Sequence, residues 1–414
     1  MITTDQLLSF PLSTPLLVAI TVAIIAALYI LIYFLSITRR VTRQCNQDAN
    51  AMEDGEVERI DPAAFPSLSV IVYVERNHQD LVEMLPMVLE QDYPAPMEVI
   101  VVNDGSRSEL EGILGDLELR YRNLYVTYTP PNSRNLSRKK LSLTIGVKAA
   151  RYDTLLVTNA SVRPSSPLWL RAMTAPLTAG AEIVIGHSIL APNPDSDDCN
   201  HLSRAASFDI GMQTIGSLSQ AIGSIPYRAD GNNLVYRKDV FTANRGFSTH
   251  HNFKYGDDDI FINQVARQGR RVAVQLAPEA VVRVISNNLG FSHRFDKIRY
   301  MFTGSHIFTP ARYMAGMASL CWWGWLAASI SALTIGFPSL TVLAAVTAIS
   351  LSLCIPVMMA YRRTSAALFY RRLTLSVPFL MLWYPLYNMY YRIAGRKVRS
   401  NNLTWTAGTY TTNQ

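Results

Sequence analysis

The sequence predicts an α/β domain, a largely parallel sheet with helices on both faces, carried between membrane-spanning helices at its two ends. Three observations predict it. Short β-branched runs alternate with amphipathic runs between residues 65 and 300, an uncharged apolar run lies near the start, and two more lie toward the end. Alternation of strand and helix is the pattern of parallel βαβ units.

The first element is residues 15–37 (PLLVAITVAIIAALYILIYFLSI), which hold no charge. They are long enough to cross a hydrocarbon core of roughly 30 Å. Asp5 precedes the run and Arg39, Arg40 and Arg43 follow it, so the amino terminus is expected outside and the following segment in the cytoplasm. The opening Met1-Ile2-Thr3-Thr4-Asp5 lacks the basic start of a cleaved signal, so residues 1–43 read as a retained anchor. Residues 44–64, polar and rich in acids, read as a linker.

Residues 65–300 form the expected soluble domain. Residues 68–74 (LSVIVYV), 97–102 (MEVIVV), 124–128 and 154–158 (TLLVT) are short, β-branched and bounded by turn residues, as buried strands are. Residues 80–91 and 137–150 repeat apolar positions at helical spacing. Residues 301–361 are expected to be a membrane-proximal segment and a hairpin of two spans, 317–337 and 339–361, broken at Pro338 and followed by Arg362 and Arg363. Residues 373–391 carry Pro378 and Pro385 with basic residues on both sides; spanning would leave one basic cluster outside. Residues 362–414 are therefore expected to be a re-entrant or interfacial segment with a cytoplasmic tail. The whole reads as a multi-pass protein of the inner (plasma) membrane with its soluble domain in the cytoplasm.

The net charge of +7 is crowded at the membrane flanks, where anionic lipid headgroups account for it; no nucleic acid partner is expected. Cys45, Cys199, Cys321 and Cys354 form no Cys-x-x-Cys pair, which argues against a disulfide framework or a zinc site.

Several polar groups fall where chemistry is expected. Asp104 ends an apolar strand in Val101-Val102-Asn103-Asp104-Gly105-Ser106. Such a turn is common, but open α/β sheets bind nucleotides at the carboxyl ends of their strands, and a carboxylate there can accept from a base or ribose. Asn159 and Ser161 follow another strand and offer neutral oxygens where a cation-binding enzyme would offer carboxylates. Asp257-Asp258-Asp259 opens a helix; one acid there suits the macrodipole, whereas three repel one another, a cost usual where function wants a base or an ion site. Gly231-Asn232-Asn233 permits close backbone approach to a ligand. Arg134, Arg138, Lys139 and Lys140 form a basic cluster, either a solvated helix face or a phosphate contact, and Lys297 and Arg299 face the same choice between lipid headgroups and a diphosphate.

Taken in order, these motifs resemble the family 2 glycosyltransferases, which include the cellulose, chitin and hyaluronan synthases. The likeness covers residues 67–300. Ser69-Val70-Ile71-Val72 is similar to that family's opening SVIVP strand, with Tyr73 in place of the proline. Leu89-Glu90-Gln91-Asp92-Tyr93-Pro94 resembles SLLAQDYP, and Val102-Asn103-Asp104-Gly105-Ser106 resembles VDDGS, whose last acid contacts the base. Lys139 to Leu143 resembles KKxAL, Gly231 to Lys238 resembles GxNLAYRK beside the acceptor, and Gly256-Asp257-Asp258 stands for GED. TDADCRP, with its metal-binding Asp-x-Asp, aligns with Thr158 to Pro164, where both acids are replaced, by Asn159 and Ser161. Gln-x-x-Arg-Trp survives loosely in Asp296 to Tyr300, which speaks against polymer-synthase activity.

The resemblance implies a GT-A fold and an inverting transfer of a sugar from a nucleoside diphosphate sugar to a glycan or lipid acceptor. It gives Asp258 the part of catalytic base, with Asp257 beside it, and places Asp104, Lys139, Lys140, Asn159 and Arg299 around the nucleotide sugar. Asn232 and Asn233 fall on the acceptor side. A divalent cation (Mg²⁺ or Mn²⁺) would have Asn159 and Ser161 as weak ligands, with Lys139, Lys140 and Arg299 as the other means of offsetting diphosphate charge. The rival expectation is a degenerate transferase acting as a nucleotide-binding membrane assembly subunit. A tethered nucleotide-binding domain of other chemistry would want a phosphate loop or metal-histidine motif, and the chain has neither.

Overall fold

The computed structural model describes residues 13–75, 78–104, 107–130, 137–194, 201–223, 226–307 and 309–401. They form two compact units: residues up to Arg43 with Ser203–Gln220 and Thr309–Tyr390, and Gln44–Leu202 with Ala221–Phe308 and the segment from Tyr391. The tail beyond residue 401 lies outside the described residues, as do Gly105, Ser106, Arg134 and Cys199.

The second unit holds the sheet. Its elements in chain order are β1 (Leu68–Val74), α2 (His78–Leu89), β2 (Met97–Asn103), α3 (Arg107–Arg120), β3 (Leu124–Tyr128), α4 (Arg138–Ala149), β4 (Thr154–Asn159), β5 (Val162–Pro164), α5 (Trp169–Thr178), β6 (Ile183–Ile185) and β7 (Ser188–Pro192). After α6 (Arg204–Gly223) follow β8 (Leu234–Arg237), α7 (Lys238–Ala243), α8 (Asp259–Arg267), β9 (Val272–Val274), β10 (Val282–Ser286) and α9 (Leu289–Thr303). Seven strands run in the order β3-β2-β1-β4-β8-β6-β9, and β8 alone is antiparallel to its neighbours. A smaller sheet has the order β5-β10-β7.

The central strands read as unbroken apolar runs because both faces are covered. Val70, Val72, Val74, Val99 and Val101 pack with Leu81, Met84, Leu85 and Val88 of α2 and with Trp169, Leu170 and Met173 of α5. The alternate residues Ile71 and Val102 meet α4, where Gly146 lies so close that a Cβ built on it would stand 2.6 Å from Ile71 Cγ2. The four strands and two helices expected from the sequence are present, with no end moved by more than two residues.

Over residues 44–64, α1 (Thr14–Glu53) continues as far as Glu53, and Asp48 accepts from the Leu276 backbone N–H at 2.8 Å. Ser203–Gln220, which includes most of α6, groups with the first unit. There Phe208 packs against Tyr361 and Tyr384, and Thr214 shares a hydrogen bond with Tyr370 at 2.9 Å.

Among the described residues three helices are long and apolar enough to cross a membrane: α1, α10 (Ala311–Gly336) and α11 (Leu340–Ala367). Thr42 and Thr364 hydrogen bond at 2.9 Å, a polar tie between apolar helices. The expected interfacial segment forms α12 (Val377–Asn401), with Phe379, Trp383, Leu386, Tyr390 and Ile393 exposed at helical spacing.

The tight contact at Gly146 yields a stability prediction. Gly146→Ala should overpack the α4 face of the sheet, costing about 1–3 kcal/mol, and lower the thermal unfolding midpoint of the detergent-solubilised protein. An unchanged or raised midpoint would show that Ile71 and Val102 yield freely.

Candidate active site

The carboxyl ends of β1, β2 and β4 meet at one sheet edge, with Val74 opposite Asn103 and Tyr73 opposite Asn159. Asp104 follows there, its N–H donating to the Val74 carbonyl at 2.8 Å. Arg138 grips its carboxylate from two sides: Nη2 is 2.5 Å from Oδ1, and Nε donates to Oδ2 at 3.0 Å. The Tyr73 hydroxyl, standing where the related motif has proline, donates to the same Oδ2 at 3.3 Å. The Asp104 side chain is 2 % exposed against 22 % for Arg138, so the guanidinium is the more open member of the pair.

The three aspartates lie across the start of α8. Gly256 has φ +99° and admits no side chain, since a Cβ would stand 2.5 Å from Ile260 Cδ1. Asp257 pairs with Lys139 at 2.6 Å. Burial works to raise the Asp257 pKa, but Lys139 and Arg299 outweigh it and hold the carboxyl down to about 2.

Asp258 caps α8, its Oδ1 accepting from the Asp259 N–H at 2.7 Å. Its Oδ2 is buried without a hydrogen-bond partner, 3.6 Å from Arg299 Nη2. Gly231 lies beside that oxygen, where a Cβ would approach it to 2.8 Å. Asp259 accepts from the Thr303 hydroxyl at 2.8 Å and lies 3.6 Å from Arg228 Nε. Burial and the neighbouring Asp258 charge raise its pKa to about 7, against the pull of Arg228 and Arg299. Arg228 in turn lies over the Tyr300 ring at 3.5 Å. Arg299 also reaches Asp296 at 3.8 Å, the loose remnant of the expected cationic motif.

The loop after β4 is tied to protein partners. Asn159 Oδ1 accepts from the Ser161 N–H at 2.9 Å, and its Nδ2 donates to Asn232 Oδ1 at 2.5 Å. Ser161 donates to Asp80 Oδ2 at 2.8 Å, and Arg163 lies 3.8 Å from the same acid. Among the described residues no group of three or more His, Cys, Asp or Glu is placed to hold a metal ion. Asn159 and Ser161 offer neutral oxygens, and both are engaged with protein partners.

Asp104, Lys139, Asp257, Asp258 and Arg299 are joined through ion pairs or short links along α4 and α8, and Asn159 meets Asn232. Two expected ligands have other partners. Asn233 is fully buried, accepting from Trp169 Nε1 at 3.0 Å and donating to the His187 and Ala280 carbonyls. Lys140 is buried against three backbone carbonyls. The sequence reading missed Arg228, Thr303 and Asp80, none of which stands in a recognisable motif; their importance lies in which acid or hydroxyl they reach.

One reversed strand in a mixed sheet of this order, with polar groups gathered where β1, β2 and β4 end, defines a GT-A transferase fold. The family described as "Glycosyltransferase like family 2" matches residues 66–296, more than half of the chain, and the chain belongs to it. Its activity class is glycosyl transfer from a nucleotide sugar. Among solved structures, the mannosyltransferase PcManGT from Pyrobaculum calidifontis, in complex with GDP-Man and Mn²⁺, is similar at 16 % identity over 84 % of this chain and 96 % of that one, with a TM-score of 0.48. TarS (residues 1–349) from S. aureus is similar at 16 % identity over 81 % and 92 %, with a TM-score of 0.38. No curated protein matches at the level of sequence.

The raised Asp259 pKa fixes the sign of a pH effect. A carboxyl of ordinary unfolded pKa near 4 that titrates at about 7 in the fold keeps a proton the unfolded chain has lost, so its contribution to stability declines as pH rises across that window. Asp259→Asn should flatten the fall in unfolding midpoint between about pH 4 and 7. An equally steep fall in the variant would assign the titration to another group.

Proposed function

We propose that the protein is an inverting glycosyltransferase at the cytoplasmic face of the inner membrane, moving a sugar from a nucleoside diphosphate sugar to a hydroxyl of a glycan or lipid acceptor. The observation that carries this reading is Asp258 Oδ2, a buried carboxylate oxygen without a hydrogen-bond partner, beside the bare Cα of Gly231. A general base must be free to accept a proton and must have room for the group that delivers it.

As the acceptor oxygen attacks the anomeric carbon, its proton passes to Asp258 Oδ2 and the nucleoside diphosphate leaves from the opposite side. Lys139 and Arg299, both among the acids, offset the growing diphosphate charge. Asp104 and Arg138 form the nucleotide end of the site. At 159 and 161 the oxygens are neutral and Asn159 is committed to protein partners, so the diphosphate charge falls to Lys139 and Arg299. Those replaced acids are what favours the rival reading, a nucleotide-binding assembly subunit. Against it stand three buried carboxylates kept together at a cost that loss of catalysis would leave without purpose.

Three measurements test the reading. Asp258→Asn keeps a good helix cap and should leave nucleotide affinity near wild type while transfer falls by on the order of 10² to 10⁴; activity within a few-fold of wild type would move the base elsewhere. The double change Asn159→Asp and Ser161→Asp, which adds carboxylates beside Asp80, should strengthen Mn²⁺ binding in calorimetry with nucleotide present. No gain there would detach that loop from the metal-binding motif it resembles. For orientation, Cys45 is buried and a poor reporter, whereas Glu56 is exposed. Glu56→Cys should resist membrane-impermeant maleimide in intact cells, and ready labelling would reverse the topology.

A further inference from the structure

The first turn of α4 carries three consecutive cations that reach three different elements. Arg138 holds Asp104 at the sheet edge, and Lys139 holds Asp257. Lys140 turns inward: it is 3 % exposed, and its Nζ donates to the carbonyls of His250 at 2.7 Å, Phe253 at 3.0 Å and Tyr255 at 2.8 Å. An ammonium group has three N–H donors, so all three are committed. The residue before the helix reinforces the tie. Ser137 Oγ donates to the Lys254 carbonyl at 3.1 Å, and its N–H donates to the His251 carbonyl at 3.3 Å. Within the loop, His250 Nε2 lies 2.9 Å from the Gly256 carbonyl. This laced segment leads directly into Gly256, Asp257 and Asp258.

We propose that Lys140 is a positioning residue for the transfer reaction: by fixing the carbonyls of residues 250, 253 and 255 it sets the backbone entering Gly256, and with it the place of Asp258 Oδ2. The inference rests on the reaction proposed above and gives Lys140 a task other than holding phosphate. A reacting group misplaced by about 1 Å can lose on the order of 10²-fold in rate. Lys140 thus acts on chemistry through the loop, while Arg138 and Lys139 keep the same helix turn attached to the nucleotide edge and to the acids. The ionisable groups around it are Asp257, Asp258, Lys139 and His250. Burial lowers its pKa to about 8 against the raising pull of the two aspartates, with Lys139 adding to the fall. Above that pH the neutral amine has two N–H donors for three carbonyls.

The test uses full-length protein in detergent, with UDP and GDP as binding probes and amide hydrogen exchange across residues 250–259. Lys140→Met should keep nucleotide affinity within about threefold while kcat falls about 10²-fold, and exchange in that segment should quicken at least about tenfold. Lys140→Arg, whose charge persists at high pH, should keep kcat near wild type and lose the decline that wild type shows as pH rises through about 8. Should the methionine variant fail to accumulate, Lys140→Gln, which keeps two donors, takes its place.

Nucleotide affinity falling in step with kcat would make Lys140 a phosphate ligand and overturn the proposal. So would unchanged exchange, or an alkaline limb in wild type that persists in the arginine variant. Wild-type protein that transfers no sugar would sink the proposed reaction instead, and the exchange measurement would still decide whether Lys140 holds the loop.

Discussion

Everything at the site depends on matching three buried carboxylates with cations. Asp257, Asp258 and Asp259 are consecutive and all buried, a placement that would cost several kcal/mol per ion if the charges were left alone. The fold meets the cost differently at each. Asp257 takes Lys139 at 2.6 Å, Asp258 has Arg299 at a looser 3.6 Å, and Asp259 has Arg228 at 3.6 Å with a hydroxyl from Thr303. The tightest pair therefore belongs to the first acid, and the second is left with one oxygen unsatisfied. Because Lys139 lies on α4, Arg299 and Thr303 on α9 and Arg228 before β8, three separate stretches of chain must be in place before α8 can begin where it does.

The same logic orders the sheet edge. Asp104 would be a bare acid at a strand end, yet Arg138 and Tyr73 occupy it, and Arg138 is the neighbour of Lys139. One helical turn thus joins Asp104 at the sheet edge to the acids at the start of α8. A helix start is suited to that work, since successive side chains leave it about 100° apart and can serve separate elements.

The sequence made the architecture legible because the physics there is local and periodic. Strands buried on both faces must be continuously apolar, so 68–74 and 97–102 announced themselves, and an uncharged run such as 15–37 has few alternatives to a membrane helix. The acids were legible as a group, since three adjacent carboxylates are hard to explain otherwise. What stayed hidden were long-range partners. Nothing near Arg228 signals Asp259, and nothing in 139–143 tells which of two adjacent lysines turns inward. Asn233 reads like its neighbour Asn232 until the strand geometry sends one to Asn159 and buries the other under Trp169.

Gly231 gives the site a peculiar evolutionary exposure. The space beside Asp258 is maintained by the absence of a side chain, and an absence is easily filled by a single methyl group. On the proposed reaction, a lineage that no longer needed the activity could silence it at position 231 with every acid and every cation still in place. Counting intact aspartates among descendants of this chain would then overstate how many remain active, whereas the residue at 231 would tell them apart.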